Sequence, residues 1–190
     1  MMPEKGHFYP LHVMCFIKKY LKGKCLDLGC GDFRNTFWVK KVVGIDIKKP
    51  SPTLPIPFVR YDLNKLPLPF KDNQFDTILA SHVLEHLESP YLVLKECKRI
   101  LRSNGILIIG MPNIHSIFTK LFQTADKKPY HINLLCEETV ENMVIALGFK
   151  VIKKYYNWFK INNKLFGYFF QFLPKSLKPD FWLVCRKEKG

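Results

Sequence analysis

The first chemistry readable in the chain lies in Lys24-Cys25-Leu26-Asp27-Leu28-Gly29-Cys30-Gly31-Asp32. Leu26 and Leu28 alternate with Cys25 and Asp27, as in a strand leaving a core. Gly29 and Gly31 permit a sharp turn and a close backbone approach to a ligand. A helix beginning just after Gly31 would point its free N–H groups into the same space. A second apolar run, Val42-Val43-Gly44-Ile45, ends in Asp46, where a ribose hydroxyl would need an acceptor. Further on, His82-Val83-Leu84-Glu85-His86 spells H-x-x-E-H, a pattern of some zinc peptidases. Two histidines four apart on a helix bind zinc, with the glutamate as base. Here the pattern directly follows a buried strand and no third ligand is clearly placed, so no metal is expected.

The elements that must position these residues alternate. Leu11 to Leu21 reads as an amphipathic helix with Leu11, Met14, Cys15, Ile17 and Leu21 near one face. Strands are predicted to Leu28, over Val42 to Ile47, Phe58 to Asp62, Phe75 to Ala80, Ile106 to Gly110, Phe149 to Tyr156 and Phe181 to Arg186. The Asp32 to Lys41 interval has room for a helix of about two turns. Helices are predicted over Pro90 to Leu101, with proline in its first turn, over Ile114 to Phe122, and over Glu137 to Leu147. Strands alternating with helices predict an α/β fold with a mostly parallel sheet.

The chain has 190 residues, 47% hydrophobic and 24% charged, which suits one globular domain over 1–190. An aromatic insertion at about 157–179 is too small to fold alone. The six cysteines form no C-x-x-C pair, so no zinc ribbon or disulfide framework is suggested. No apolar run approaches the ~20 residues of a spanning helix, and no leader is evident. A cytoplasmic protein is expected, with peripheral membrane association as a further expectation. The net charge of +14 points to an anionic partner, either a membrane surface or nucleic acid. Ten basic residues from Lys150 onward face only Asp180 and Glu188.

Taken together, LDLGCGD at Leu26 to Asp32, VGIDI at Val43 to Ile47, YDL at Tyr61 to Leu63 and FDTILASHVLEHL at Phe75 to Leu87 are similar to the motifs of one family. With LKECKRILRSNGILIIGMPN at Leu94 to Asn113 and ENMVIALGFKVI at Glu141 to Ile152, the order resembles class I S-adenosylmethionine-dependent methyltransferases. The resemblance implies a three-layer, Rossmann-like sheet of seven strands. Its last strand would lie antiparallel between the fifth and sixth. It implies S-adenosylmethionine as cofactor, held by Asp27, Gly29, Cys30 and Gly31 at the turn. Asp46 and Ile47 would sit at the ribose, Asp62 and Leu63 at the adenine, and Ala80 and Ser81 beside the sulfonium. Phe33 stands where many relatives have a third glycine, and is expected to cap the site or shift the helix. His82 and His131 are the candidate bases, with a structural histidine as the alternative at each; a pKa near ~6.5 suits such work.

The acceptor is not named by these residues. No N-P-P-Y-like tetrapeptide follows the fourth strand, where Ala80-Ser81-His82-Val83 stands. The form there looks more like enzymes acting on small-molecule or lipid-like acceptors; the alternative is an RNA or other nucleic-acid methyltransferase. An NAD-dependent oxidoreductase would share the glycines and Asp46, but Arg34 stands in place of its third glycine and Asp62 would have no task.

Overall fold

The computed structural model describes residues 11–33, 35–50, 55–117, 132–157 and 174–188. Seven strands form one sheet: β1 Cys25–Leu28, β2 Val42–Asp46, β3 Phe58–Arg60, β4 Phe75–Ser81, β5 Leu101–Pro112, β6 Phe149–Asn157 and β7 Asp180–Lys187. Their order is β3-β2-β1-β4-β5-β7-β6. The pairings β1–β2, β1–β4, β2–β3 and β4–β5 are parallel, whereas β7 runs antiparallel to both β5 and β6. The fold expected from the motifs is therefore the one observed.

The strand alternation decides which layer covers which face. Leu26 and Leu28 of β1, Ile78 and Ala80 of β4, and Leu107 and Ile109 of β5 point to one side. There they meet Val93, Leu94, Cys97 and Ile100 of α2 (Pro90–Ile100) and Val140 and Val144 of α3 (Glu137–Ala146). Cys25, Leu79, Ile108, Trp182 and Val184 point to the other side, against α1 (Leu11–Lys18). The buried face of α1 is Val13, Phe16 and Ile17, continued by Leu21 beyond the helix; Cys15 is exposed and Met14 only partly buried. The expected face was thus rotated: the i, i+3, i+4 set that closes over the sheet starts at Val13.

Other expectations shift at their ends. β3 stops at Arg60, short of Asp62, while β5 extends well beyond Ile106 to Gly110 at both ends. Most of the helix expected over Ile114 to Phe122, from residue 118 on, and most of the aromatic insertion fall outside the described residues, as does His131. Among the described residues no helix is long and apolar enough to cross a membrane. The described cysteines are free thiols; Cys25, Cys30, Cys97 and Cys185 are buried.

The ends of the parallel strands lie along one edge, and the N-terminal end of antiparallel β7 joins them. Leu28 is beside Ile45 and Ala80, Ser81 is beside Gly110, and Pro112 is beside Asp180. The chain winds from β1 outward to β3, then returns to β4 on the other flank of β1. This switch point between β1 and β4 is where open α/β sheets leave a crevice.

Candidate active site

The glycine turn is fixed to that crevice by specific contacts. Gly29 has φ 68°, and a Cβ there would lie 2.5 Å from Val83 Cγ2. The Gly29 and Cys30 N–H groups donate to the Ile45 carbonyl at 2.8 and 3.2 Å, which pins the turn to β2. Asp46 completes the clasp: its carboxylate accepts the Gly31 and Lys48 N–H groups, both at 2.9 Å. A Cβ on Gly31 would meet nothing within 4 Å, so the space above the turn is open. Ile47 is 56% exposed beside Asp46, an apolar surface at the strand end. Asp62 caps a turn by accepting the Asn64 N–H at 3.0 Å. Leu63 and Ala80 are buried, and Ser81 is half-buried at the end of β4.

Among the described residues no helix follows Gly31. Residues 32–33 and 35–41 lie in turns, with hydrogen bonds such as Phe33 N–H to Cys30 O at 2.8 Å and Val39 N–H to Thr36 O at 2.8 Å. The reason is Phe33, which adopts φ 57° and is fully buried. A Cβ on Gly44 would lie 2.2 Å from its ring. Phe33 therefore neither caps the site nor displaces a helix; it drives the chain inward under β2. Asp27 is turned inward as well. It is 3% exposed and accepts a hydrogen bond from the Thr36 hydroxyl at 2.5 Å. Direct contact with a bound molecule would require relief of that burial.

The second half of the site surrounds His82. This residue directly follows β4 with φ 50°, and its N–H donates to the Gly110 carbonyl at 2.9 Å. Its ring packs against Trp182, with centroids 6.3 Å apart. Nδ1 lies 3.5 Å from Glu85 Oε1, and Nε2 lies 3.8 Å from Asp180 Oδ1. Burial opposes the imidazolium, but the Glu85 hydrogen bond and the charges of Asp180 and Glu85 outweigh it and raise the His82 pKa. Burial likewise works against the Glu85 carboxylate, yet His82 holds its pKa below the usual value. Leu84–His86 is a single 3-10 turn, so His82 and His86 do not share one face of an α-helix. Among the described residues, the three-ligand grouping of His, Cys, Asp or Glu is His115, Cys136 and Glu138, none of them in the H-x-x-E-H motif.

Asp180 was legible only as one of two acids among late lysines. It reaches the site because β7 inserts backwards beside β5, a pairing that no local signal carries. The late lysines also acquire partners. Lys154 lies 3.1 Å from Glu137 and 2.5 Å from Glu141, and Lys175 lies 3.2 Å from Glu137. Lys178 is 4% exposed, with Nζ 5.1 Å from the centre of the Tyr156 ring.

Residues 26–109 match the family described as a methyltransferase domain. An uncharacterised protein of Methanocaldococcus jannaschii, MJ1123, is 32% identical over 157 residues, covering 78% of this chain and 76% of that protein. The chain belongs to the class I S-adenosylmethionine-dependent methyltransferase family. A probable S-adenosylmethionine-dependent methyltransferase of Mycobacterium tuberculosis is 25% identical over 65% of this methyltransferase; the match spans 47% of the mycobacterial protein. The crystal structure of a SAM-dependent methyltransferase from Archaeoglobus fulgidus has the same fold, with a TM-score of 0.71 at 21% identity, covering 92% of this chain and 93% of that one.

The crevice of this methyltransferase fits S-adenosylmethionine, its methyl donor. Among the described residues Asp46 accepts two backbone N–H groups, which leaves capacity for the hydroxyls of a ribose. The open space over Gly31 admits a ligand against bare backbone. Among the described residues after Gly31 there are turns and no helix N-terminus of the kind that holds a pyrophosphate, a group this donor lacks.

Beneath the turn, burial raises the Asp27 carboxyl to about 7, opposed by the Thr36 hydrogen bond and aided by the Asp46 charge. The folded state therefore binds more protons than the unfolded chain between about pH 4 and pH 7, and stability falls as pH rises through that window. Asp27→Asn keeps an acceptor for Thr36 and removes the titration. Urea denaturation is expected to show the variant more stable at pH 8 by on the order of 2–4 kcal/mol, with the wild-type slope between pH 4 and 7 flattened. An unchanged slope would show that Asp27 is ionised within the fold.

Proposed function

We propose that this methyltransferase acts on a small-molecule or lipid-like acceptor, bound over the ends of β4, β5 and β7. The observation that carries this reading is the pair of carboxylates around His82, Glu85 at 3.5 Å and Asp180 at 3.8 Å. A phosphodiester chain would bring its charges against these acids, whereas a small acceptor needs only to fit beside the imidazole. The proposed cofactor contacts are the backbone of Gly29, Cys30 and Gly31, the carboxylates of Asp46 and Asp62, and the surfaces of Ile47, Leu63, Ala80 and Ser81. Asp27 supports the turn from below. S-adenosylmethionine supplies a methyl group already activated by a positively charged sulfur. The chain's contribution is alignment and exclusion of water, with His82 available to take a proton where the acceptor must lose one. His131 keeps its place as a second candidate base.

The rival reading, methylation of RNA, draws on the net charge of +14. Incubation of the protein with methyl-labelled S-adenosylmethionine and a cell extract separates the two. Label is expected in the solvent-extractable and small-metabolite fractions. Label recovered in RNA and released by ribonuclease would overturn the small-acceptor reading.

A further inference from the structure

An imidazole, a thiol and a carboxylate meet just beyond the end of β5. Among the described residues, His115, Cys136 and Glu138 each offer one ligand atom, and these atoms lie within 4.8 Å of one another. No sequence spacing announces the group, since His115 and Cys136 are 21 positions apart. His115 and Glu138 are exposed and Cys136 is half-buried, so the donors are open to a solute. The backbone that carries them is well anchored. The His115 N–H donates to the Asn113 side-chain carbonyl at 3.1 Å. Asn113 is buried; its amide group donates to the Lys175 and Lys178 carbonyls at 2.9 and 2.8 Å, and its backbone N–H donates to the Pro179 carbonyl at 2.6 Å. The segment after β5 is thereby tied to the chain entering β7. Cys136 is the N-terminal cap residue of α3, and Glu138 lies in its first turn. Glu137, between them, is turned inward and accepts the Tyr156 hydroxyl at 2.7 Å, while Val140 and Val144 bury the other side of the helix.

We propose that His115, Cys136 and Glu138 form a zinc site with three protein ligands, its fourth position left to water. The donor set selects the ion. A thiolate and an imidazole favour zinc, whereas magnesium and calcium take oxygen ligands. The two anionic ligands sit at the start of α3, where the helix dipole favours negative charge. The Thr139 hydroxyl lies 3.0 Å from the Cys136 sulfur, placed to donate to a metal-bound thiolate. Zinc holds such donors at about 2.0–2.3 Å in a tetrahedron, so the three atoms need to draw together by about 1 Å at most. Exposed side chains have that freedom. Binding releases the thiol proton to the buffer. The ion joins the segment after β5 to the start of α3. The proposal does not depend on the identity of the methyl acceptor.

The test uses the full chain, reduced and stripped of metal with a chelator. Calorimetric titration with Zn²⁺ at neutral pH is expected to saturate at one equivalent, with a heat that depends on the buffer as the thiol proton is released. Co²⁺ serves as the spectroscopic probe and is expected to give a thiolate-to-cobalt charge-transfer absorption. Cys136→Ser should abolish that absorption. His115→Gln and Glu138→Gln should each weaken Zn²⁺ binding by about tenfold or more. His86→Gln, a change within the H-x-x-E-H motif, should leave Zn²⁺ affinity as it is. No saturable Zn²⁺ binding, or binding unmoved by all three ligand substitutions, would overturn the proposal. So would a cobalt–thiolate absorption that persists in Cys136→Ser, which would put the ion on another thiol such as the exposed Cys15. Loss of the ion in His86→Gln would return it to the motif and equally overturn the assignment.

Discussion

Replacing Asp46 with alanine is expected to weaken S-adenosylhomocysteine binding by about 1.5–3 kcal/mol, roughly ten- to hundredfold, the scale of hydrogen bonds to a charged group. The carboxylate has one task in the structure and a second in the proposed site, and the substitution removes both. It would accept from the ribose hydroxyls, and it holds the Gly31 and Lys48 N–H groups at 2.9 Å, which fixes the glycine turn against β2. Asp46→Asn separates them, since its carbonyl oxygen still accepts from the backbone but carries no charge; its loss should be intermediate. Titration calorimetry on folded variants checks this. Unchanged affinity in Asp46→Ala would take the residue out of the site.

The largest effect on the fold is expected from Gly29→Ala. The left-handed φ of 68° strains any side chain, and the added Cβ would lie 2.5 Å from Val83 Cγ2. Val83 is 8% exposed and β-branched, so it has little freedom to withdraw. Strain and overpacking together should cost about 2–4 kcal/mol in urea denaturation. Val83→Ala in the same chain should recover the steric part and leave the backbone part. A Gly29→Ala protein as stable as wild type would mean that the turn is not held as described.

The two halves of the site differ in how far the sequence disclosed them. The cofactor side is local: a strand, a glycine turn and an acid at the next strand end follow one another in sequence, so Gly29, Gly31 and Asp46 were legible together. The same local reading placed a helix after Gly31, because it could not see that Phe33 must fill the space beneath Gly44. The acceptor side is non-local. His82 was visible at the end of β4, but Asp180 lies 98 positions later and arrives only through the antiparallel insertion of β7. Part of the charge balance is non-local for a related reason. The lysines from Lys150 onward read as a basic excess; two of them, Lys154 and Lys175, are paired with Glu137, which precedes that stretch and lies in the first turn of α3. Glu85 stood out in the sequence only within the H-x-x-E-H pattern, where no metal was expected, and the structure sets it 3.5 Å from His82.

The account stands most directly on which nucleotide the crevice takes. Calorimetric titration of the full chain with S-adenosylhomocysteine, S-adenosylmethionine and NAD measures this without knowledge of the acceptor. The expected result is one site per chain for each sulfur nucleotide and no saturable heat with NAD. Tighter binding of NAD than of either sulfur nucleotide would contradict it.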